Sequence, residues 1–525
     1  MMVDILHQLL KGIVGDYLCH WVRNILGIKT ASGSARYQHK RPRTTAAPCP
    51  AVIALDQRFR AVPPYPGLKI FERFSAISQW TGVEYNAIIR QLMPVVTPLL
   101  PPNSKAILHA MRAILDFVCL AQYYSHTDET LAYLEDALYR IDHTKEVFRR
   151  CRKDRHFNFP KWHAMTHYPA FIRKYGVAPG YSTGVSEACH IDNVKEPFDR
   201  TNKRAGFEGQ LFKHSIRHLN ASAAYDVELL SAGFRHGRVE HALRSYVNTA
   251  SKGVPLNHER WPVDKSQLRL IESLGLSTMY WCNVETLARG FDIPDFPFAV
   301  QQFIAILAAQ PSVQAQGIAQ PVTPTTVLQY PIQVHGHVKT WKPTGSKPDQ
   351  PDFLEEDRCH CAPDWQGTER WRRDYVWIQE HHSDAVNNHG NPHPWNGRLV
   401  GRLLAIVTIL NLGAKDKRGR YPRHTGAMVE LLKYRSGGRI HPAHGMVELE
   451  EQELPQLSSV VGHASRRMYS LDCIVRSAHV VPVTGSNAKM LYLNNYIDWD
   501  QFNTLYNEDF LRQGRVTANA ISKAC

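Results

Sequence analysis

HFNFPKWHAMTHYPAFIRKYG (156–176) and YSTGVSEACHIDNVKEPFDRTNKR (181–204) pack histidines, carboxylates and bases more densely than any other part of this 525-residue chain. The first segment reads as a helix opening at Pro160, because proline is tolerated in a first helical turn. His163 and His167, four apart, then share one face. The second segment sets Glu187, His190, Asp192, Lys195 and Glu196 within one or two turns. Carboxylates grouped in this way can hold a divalent cation, and the TNKR that follows (201–204) can meet phosphate. The same spacing also describes an exposed charged helix whose histidines face the core.

Composition narrows the classes. Hydrophobic residues at 43% and charged residues at 21% are those of a globular protein. Lys plus Arg number 62 against 48 Asp plus Glu, a formal charge of +14. That balance favours an acidic partner, with nucleic acid the first candidate. The ten cysteines are scattered, and Cys359 and Cys361 make the only tight pair. With no second pair at zinc spacing, neither a zinc site nor a disulfide framework is expected, and the compartment reads as reducing. No apolar run is long enough to span a bilayer. The opening MMVDILHQLLKG lacks the basic flank, extended apolar stretch and cleavage site of a signal peptide.

The apolar period is helical first and strand-like later, so the expected fold is α+β. The N-terminal two-thirds is mostly helical and a small, separate antiparallel β domain follows. Leu6, Leu9, Leu10, Ile13, Leu18, Val22 and Ile25 put an amphipathic helix over 4–27, with Asp4 at its N-cap or first turn. The expected divisions are 1–27; a disordered basic stretch over 28–50; helices over 51–155; the dense block over 156–210; a helical region over 211–310; a linker over 311–325; and the β-rich part over 326–525. Thr127 or Ser125 should cap a helix with Asp128 and Glu129 in its first turn. Short β-branched or aromatic runs such as DYVWIQ, GRLVGRLLAIVTIL and GAMVELLKY read as strands, and 342–372 as loop. Asp498, Trp499 and Asp500 read as a terminal helix cap with a core tryptophan. Lys40, Arg41 and Arg43 in 28–50 form a basic tract suited to DNA contact or nuclear import.

Three blocks in order, FNFPKWHAMTHY (157–168), SEACHIDNVKE (186–196) and TNKR (201–204), resemble the C-terminal catalytic region of fungal Plavaka-type transposases. These are cut-and-paste DNA elements related to the CACTA and KDZ groups. DILHQLLKG (4–12) resembles the family's second-aspartate block. Leu55, Asp56, Arg58 and Phe59 match its L-D-x-R-F block, and YLNNYIDWDQFNTLY (492–506) resembles the end of many such chains.

The resemblance implies a remnant of an RNase H-like DDE core carrying a large helical insertion, with 28–50 inserted after the first helix. In that family three carboxylates hold two Mg²⁺ (or Mn²⁺) ions for in-line attack on a phosphodiester. By resemblance, Asp4 and Glu187 would be catalytic carboxylates and metal ligands. His7, His190, Asp192, Lys195 and Glu196 would surround them, and Lys203 and Arg204 would contact the DNA backbone. The resemblance further implies DNA ends as partner, a nuclear location, no membrane, and allows an oligomer. Several departures weigh against activity. By resemblance the first aspartate would fall before Met1, and the chain is expected to be the back part of a transposase. The family's T-E pair reads Thr183–Gly184, its E-R pair reads Glu187–Ala188, and Pro197 interrupts a helix that the family continues. The expected function is thus that of a transposase-derived protein, inactive alone; the alternative is a non-catalytic relic that binds DNA or protein.

Overall fold

The computed structural model describes residues 3–28, 49–77, 80–151, 156–190, 194–214, 216–217, 278–309, 324–343, 354–363, 371–379, 398–410, 412, 415, 419, 421, 423–452, 465–483 and 490–512. They fall into two units. The first comprises Met1–Val3, His7–Gly180 and Asp264–Cys525; the second comprises Asp4–Leu6 and Tyr181–Val263.

The apolar spacing of the first segment does make a helix. It has wide π geometry over Ile5–Leu18 and ordinary α geometry over Cys19–Ile25 (α1). Leu9, Leu10, Ile13, Leu18 and Val22 are buried, while Leu6 and Ile25 are half-buried. Gly12 and Gly15 allow close approach: a Cβ at Gly15 would strike the Tyr85 ring, and one at Gly12 the Lys161 side chain.

Helices α2 (Pro50–Arg60), α3 (Gly82–Val96), α4 (Lys105–Ala121) and α5 (Asp128–Thr144) follow. Thr81 caps α3 in a box with Glu84, each side chain bonded to the other's backbone N–H. Thr127 caps α5 with Thr130 in the same way, and Asp128 and Glu129 occupy the first turn. The helix expected from Pro160 onward comes as two, α6 (Pro160–Met165) and α7 (Tyr168–Tyr175), because Pro169 disfavours continuous helix at the residue before it and must open a new turn.

The strands are antiparallel throughout. They are β1 (Thr278–Asn283), β2 (Pro331–His335), β3 (His337–Pro343), β4 (Leu354–Ala362), β5 (Arg372–Arg373), β6 (Tyr375–Gln379), β7 (Arg398–Ile409), β8 (His424–Tyr434), β9 (Val447–Glu451), β10 (Arg466–Ser470), β11 (Ile474–Ala478), β12 (Val480–Pro482) and β13 (Met490–Leu493). The long hairpin β7–β8 is the spine, in register from Gly401 opposite Leu431 to Ile409 opposite His424. On its outer edges each long strand pairs two short ones in succession: β7 takes β6 and then β2, and β8 takes β10 and then β9. Strand β4 lies inside the run expected to be loop. LEEDRCHCA has little β-branched character, but it pairs with β3 from Leu354 to His360 and with β5 at Cys361 and Ala362, and turns Cys359 and Cys361 into the core. Strand β1 likewise replaces part of the helix expected over 211–310, and 310–323, which holds most of the expected linker, lies outside the described residues.

The helices Val284–Gly290 and Phe296–Ala309 cover one sheet face, with Phe296, Val300 and Phe303 against Leu404, Val407 and Met428. The β region was expected to stand apart from the helices of 51–155, yet both belong to the first unit and are tied by buried polar bonds. Arg58 donates to the carbonyls of Pro482 (2.6 Å) and Pro94 (3.0 Å). Arg112 donates to Pro442 O at 2.8 Å, and Asp116 accepts from both Arg140 (2.8 Å) and the Tyr496 hydroxyl (3.0 Å). Charged groups of the helices are completed by carbonyls and a hydroxyl of the β region, so the helical part does not satisfy its buried polar groups alone.

His479 makes one such joint sensitive to acid. Its Nε2 donates to Pro63 O (3.1 Å) and its Nδ1 accepts from Asn494 Nδ2 (2.9 Å), so the neutral ring fits and a second proton would face a donor. Burial, first of all, pushes its pKa down to about 4. His126 and His335 are pushed to about 4 by burial as well. A histidine whose folded pKa lies below its unfolded value near 6.5 binds fewer protons when folded, so stability is full above that value and lost as pH falls toward 4. Urea denaturation at pH 7 and pH 4.5 should show a lower midpoint at the acid value. In His479→Gln, which keeps polar contacts without titrating, that drop should be smaller; an equal drop would refute the assignment.

Among the described residues no helix is long and apolar enough to cross a membrane.

Candidate functional site

Asp4 lies directly before the first helical segment and reaches Thr183. Its Oδ1 accepts from the Thr183 backbone N–H (3.1 Å) and its Oδ2 from the Thr183 hydroxyl (2.9 Å). Thr183 opens helix α8 (Thr183–His190), so the carboxylate meets one of the backbone donors that a helix start leaves unpaired and lies at the favourable end of its dipole. Two positions 179 apart in the chain are thereby held in hydrogen-bond contact within the second unit. The next residue, Gly184, has room: a Cβ there would meet only Ser182 Oγ at 3.6 Å and Leu6 Cδ2 at 4.0 Å, ordinary contact distances.

The other anticipated residues are spread out. Glu187 lies farther along α8 and is exposed, as is His190 at its end. His7 is half-buried and belongs to the first unit. Asp192, Lys40, Arg41 and Arg43 lie outside the described residues. Lys195 and Glu196 are exposed at the start of a one-turn helix α9 (Glu196–Asp199), where Pro197 sits in the first turn and so breaks no ladder bond. In TNKR, the Thr201 hydroxyl donates to Phe198 O (2.8 Å) and accepts from Lys203 N (3.2 Å), and Asn202 Oδ1 accepts from Arg204 N (3.1 Å). This turn holds Lys203 at φ +57° and presents Lys203 and Arg204 to solvent. Lys203 also pairs with the exposed Asp199 at 2.9 Å, a contact of little net strength.

The family-like FNFPKWH block serves packing. Phe157, Phe159 and Trp162 close on Trp21 and Tyr17 of the first helical segment, and Lys161 pairs with Asp16 at 2.8 Å. Its histidines do not face the core. His163 and His167 are exposed, with their Nε2 atoms 3.2 Å apart across the α6–α7 turn.

The two-metal site that the resemblance implies takes three carboxylates. Asp4 and Glu187 fall short of that set, both Asp4 oxygens are engaged by Thr183, and the neighbouring position 184 is glycine, which brings no carboxylate. Among the described residues, those brought together here do not make up a site for a pair of Mg²⁺ ions.

A different cluster forms in the first unit, in HPAHGMVE (441–448), the loop before β9 together with the first two residues of that strand. One ligand atom from each of His441, His444 and Glu448 lies within 4.8 Å of the others. The imidazoles stack at 4.0 Å with planes 4° apart, and His444 Nε2 is 3.5 Å from Glu448 Oε1. Burial lowers the pKa of His441 and takes that of His444 down to about 4, while the bond from His444 lowers that of Glu448. At neutral pH the group therefore consists of two neutral imidazoles and one carboxylate. Paired cysteines, the pattern weighed in the sequence, do not lead to this cluster; its H-x-x-H-x-x-x-E spacing was the available signal. The Cys359/Cys361 pair is buried, and burial pushes the Cys361 thiol up to about 12, far from a thiolate ligand. No protein-family model matches the chain, and no match was found among curated proteins or solved structures.

Proposed function

We propose that this chain is a transposase-derived protein that binds DNA and neither cuts nor joins it. The observation that carries this reading is the contact between Asp4 and Thr183. The block resembling the family's second-aspartate segment meets the position resembling its T-E pair, as relatedness would require, but glycine occupies position 184. The ordered agreement of the 157–168, 186–196 and 201–204 blocks supports the ancestry. The +14 charge and the solvent-facing Lys203 and Arg204 support a phosphate-rich partner.

The test is duplex binding measured from low to high salt. Affinity should fall log-linearly, and Lys203→Ala/Arg204→Ala should lower the slope by about 2, one for each phosphate no longer neutralised. No nicking should accompany binding in Mg²⁺ or Mn²⁺. Because a side chain fits at position 184, Gly184→Glu should place a carboxylate beside Asp4 and raise Mn²⁺ affinity by at least about tenfold, as an added anionic ligand does. Salt-independent or absent binding would end the DNA reading, and nicking by the unaltered chain would end the non-catalytic one.

A further inference from the structure

We propose that His441, His444 and Glu448 bind one divalent transition-metal ion of the zinc type, with one coordination position open to solvent. Two ligands of a tetrahedral zinc ion, each about 2.1 Å from it, stand about 3.4 Å apart. His444 Nε2 and Glu448 Oε1 are already 3.5 Å apart, and a nitrogen of His441 lies within 4.8 Å of both. Two histidines and one glutamate leave the fourth position of a tetrahedral ion free. His441 and Glu448 are half-buried while His444 is buried, so the ion has an entry path and one firmly held ligand.

The cradle is built before any ion arrives. Gly445 sits at φ +72° with Arg112 packed where a Cβ would be. Its carbonyl accepts from Asn495 Nδ2, its N–H donates to His441 O (2.8 Å), and His441 N donates to Met446 O (3.0 Å). The groups facing the cluster are Lys105, Arg112 and Arg435 as well as Glu448. Arg112 is partly offset by Asp116 at 3.5 Å.

The metal-free tautomers add selectivity. Met446 N donates to His444 Nδ1 (3.2 Å) and Ala443 N to His441 Nδ1 (3.3 Å), so each neutral ring carries its hydrogen on Nε2. An ion taking Nε2 of His444 moves that hydrogen to Nδ1 and displaces the long Met446 contact. Ions that bond strongly to imidazole can do this; Mg²⁺, which favours oxygen ligands and keeps its waters, cannot.

The exposed His163/His167 pair could also chelate metal, so the full-length His163→Ala/His167→Ala chain is the reference. Equilibrium dialysis with Zn²⁺ should find one ion per chain in that background, none with Mg²⁺, and Co²⁺ should give the visible absorption of a tetrahedral site. Glu448→Gln and His441→Asn, both at half-buried positions, should each raise Kd by at least about tenfold with unchanged circular dichroism; His444→Ala should abolish binding. Loss of the ion from the His163→Ala/His167→Ala reference, or unchanged Kd in both Glu448→Gln and His441→Asn, would overturn the assignment. DNA binding is read separately, so failure here leaves the proposed function standing.

Discussion

Replacing Arg476 by methionine should destabilise the first unit by about 3–5 kcal/mol, the range for removing one partner of a buried charge cluster. Arg476 is only 3% exposed. Its guanidinium donates to Asp498, Asp500 and the Tyr65 hydroxyl, the last at 2.7 Å, and Tyr65 donates in turn to Asp498 at 2.5 Å. Strand β11, the loop after α2 and the last helix, Trp499–Arg512, therefore share one charge centre. Methionine fills the volume but leaves two half-buried carboxylates facing each other without a cation. Urea denaturation followed by tryptophan fluorescence measures the loss. The triple variant Arg476→Met/Asp498→Asn/Asp500→Asn should lose less than the single one, because the stranded charges are gone. The amide oxygen that Asp498→Asn introduces can still cap the helix, as Asp498 does by accepting from Gln501 N at 3.0 Å. A single-variant loss below about 1 kcal/mol, the scale of an exposed pair, would show that water reaches the centre.

Trp21→Ala should cost about 3–5 kcal/mol, as truncating a fully buried aromatic does. Trp21 is 1% exposed and stacks on Phe148 at 4.8 Å. Phe157 stands edge-on at 6.0 Å and Trp162 lies at 5.9 Å. Two separate stretches, one carrying Phe148 and the other Phe157 and Trp162, thus meet on one indole. Trp21→Phe, which retains a ring against Phe148, should lose less than half as much. Equal losses for the two variants would mean that the indole is placed by its backbone and not by this aromatic cluster. The expected pattern assigns the FNFPKW residues to holding the N-terminal helix, whatever chemistry their ancestors served.

Patterns with short periods were legible in the chain. The leucines and isoleucines from Leu9 to Val22, the Thr127 cap with its acidic first turn, and the β-branched runs of β7 and β8 each act through neighbours within a turn or a strand pair. The terminal Asp498 cap was legible for the same reason. Trp499 was not: it is half-buried, packing edge-on to Tyr123 at 5.8 Å, because its burial depends on a residue far away in the chain. Strand β4 was hidden in charged residues, since what makes it a strand is the partner β3 and the cavity that takes its cysteines. The His441–His444–Glu448 spacing was present in the letters, but nothing local distinguishes it from an ordinary polar loop.

By itself, the sequence determined an α+β chain with an antiparallel sheet, a basic surface balance, and helices and strands close to their observed places, because periodicity and capping are settled over a few residues. Only the tertiary structure decided that the helices and the sheet interlock in one unit, that Asp4 is engaged by Thr183, that Asp498 and Asp500 serve Arg476, and that two histidines and a glutamate converge beside Arg112. Each of these depends on burying a charge or an unpaired donor against one specific partner. Such a partner, 179 residues away for Asp4 and 411 for Tyr65 and Arg476, is chosen by how whole elements pack and by no pattern along the chain.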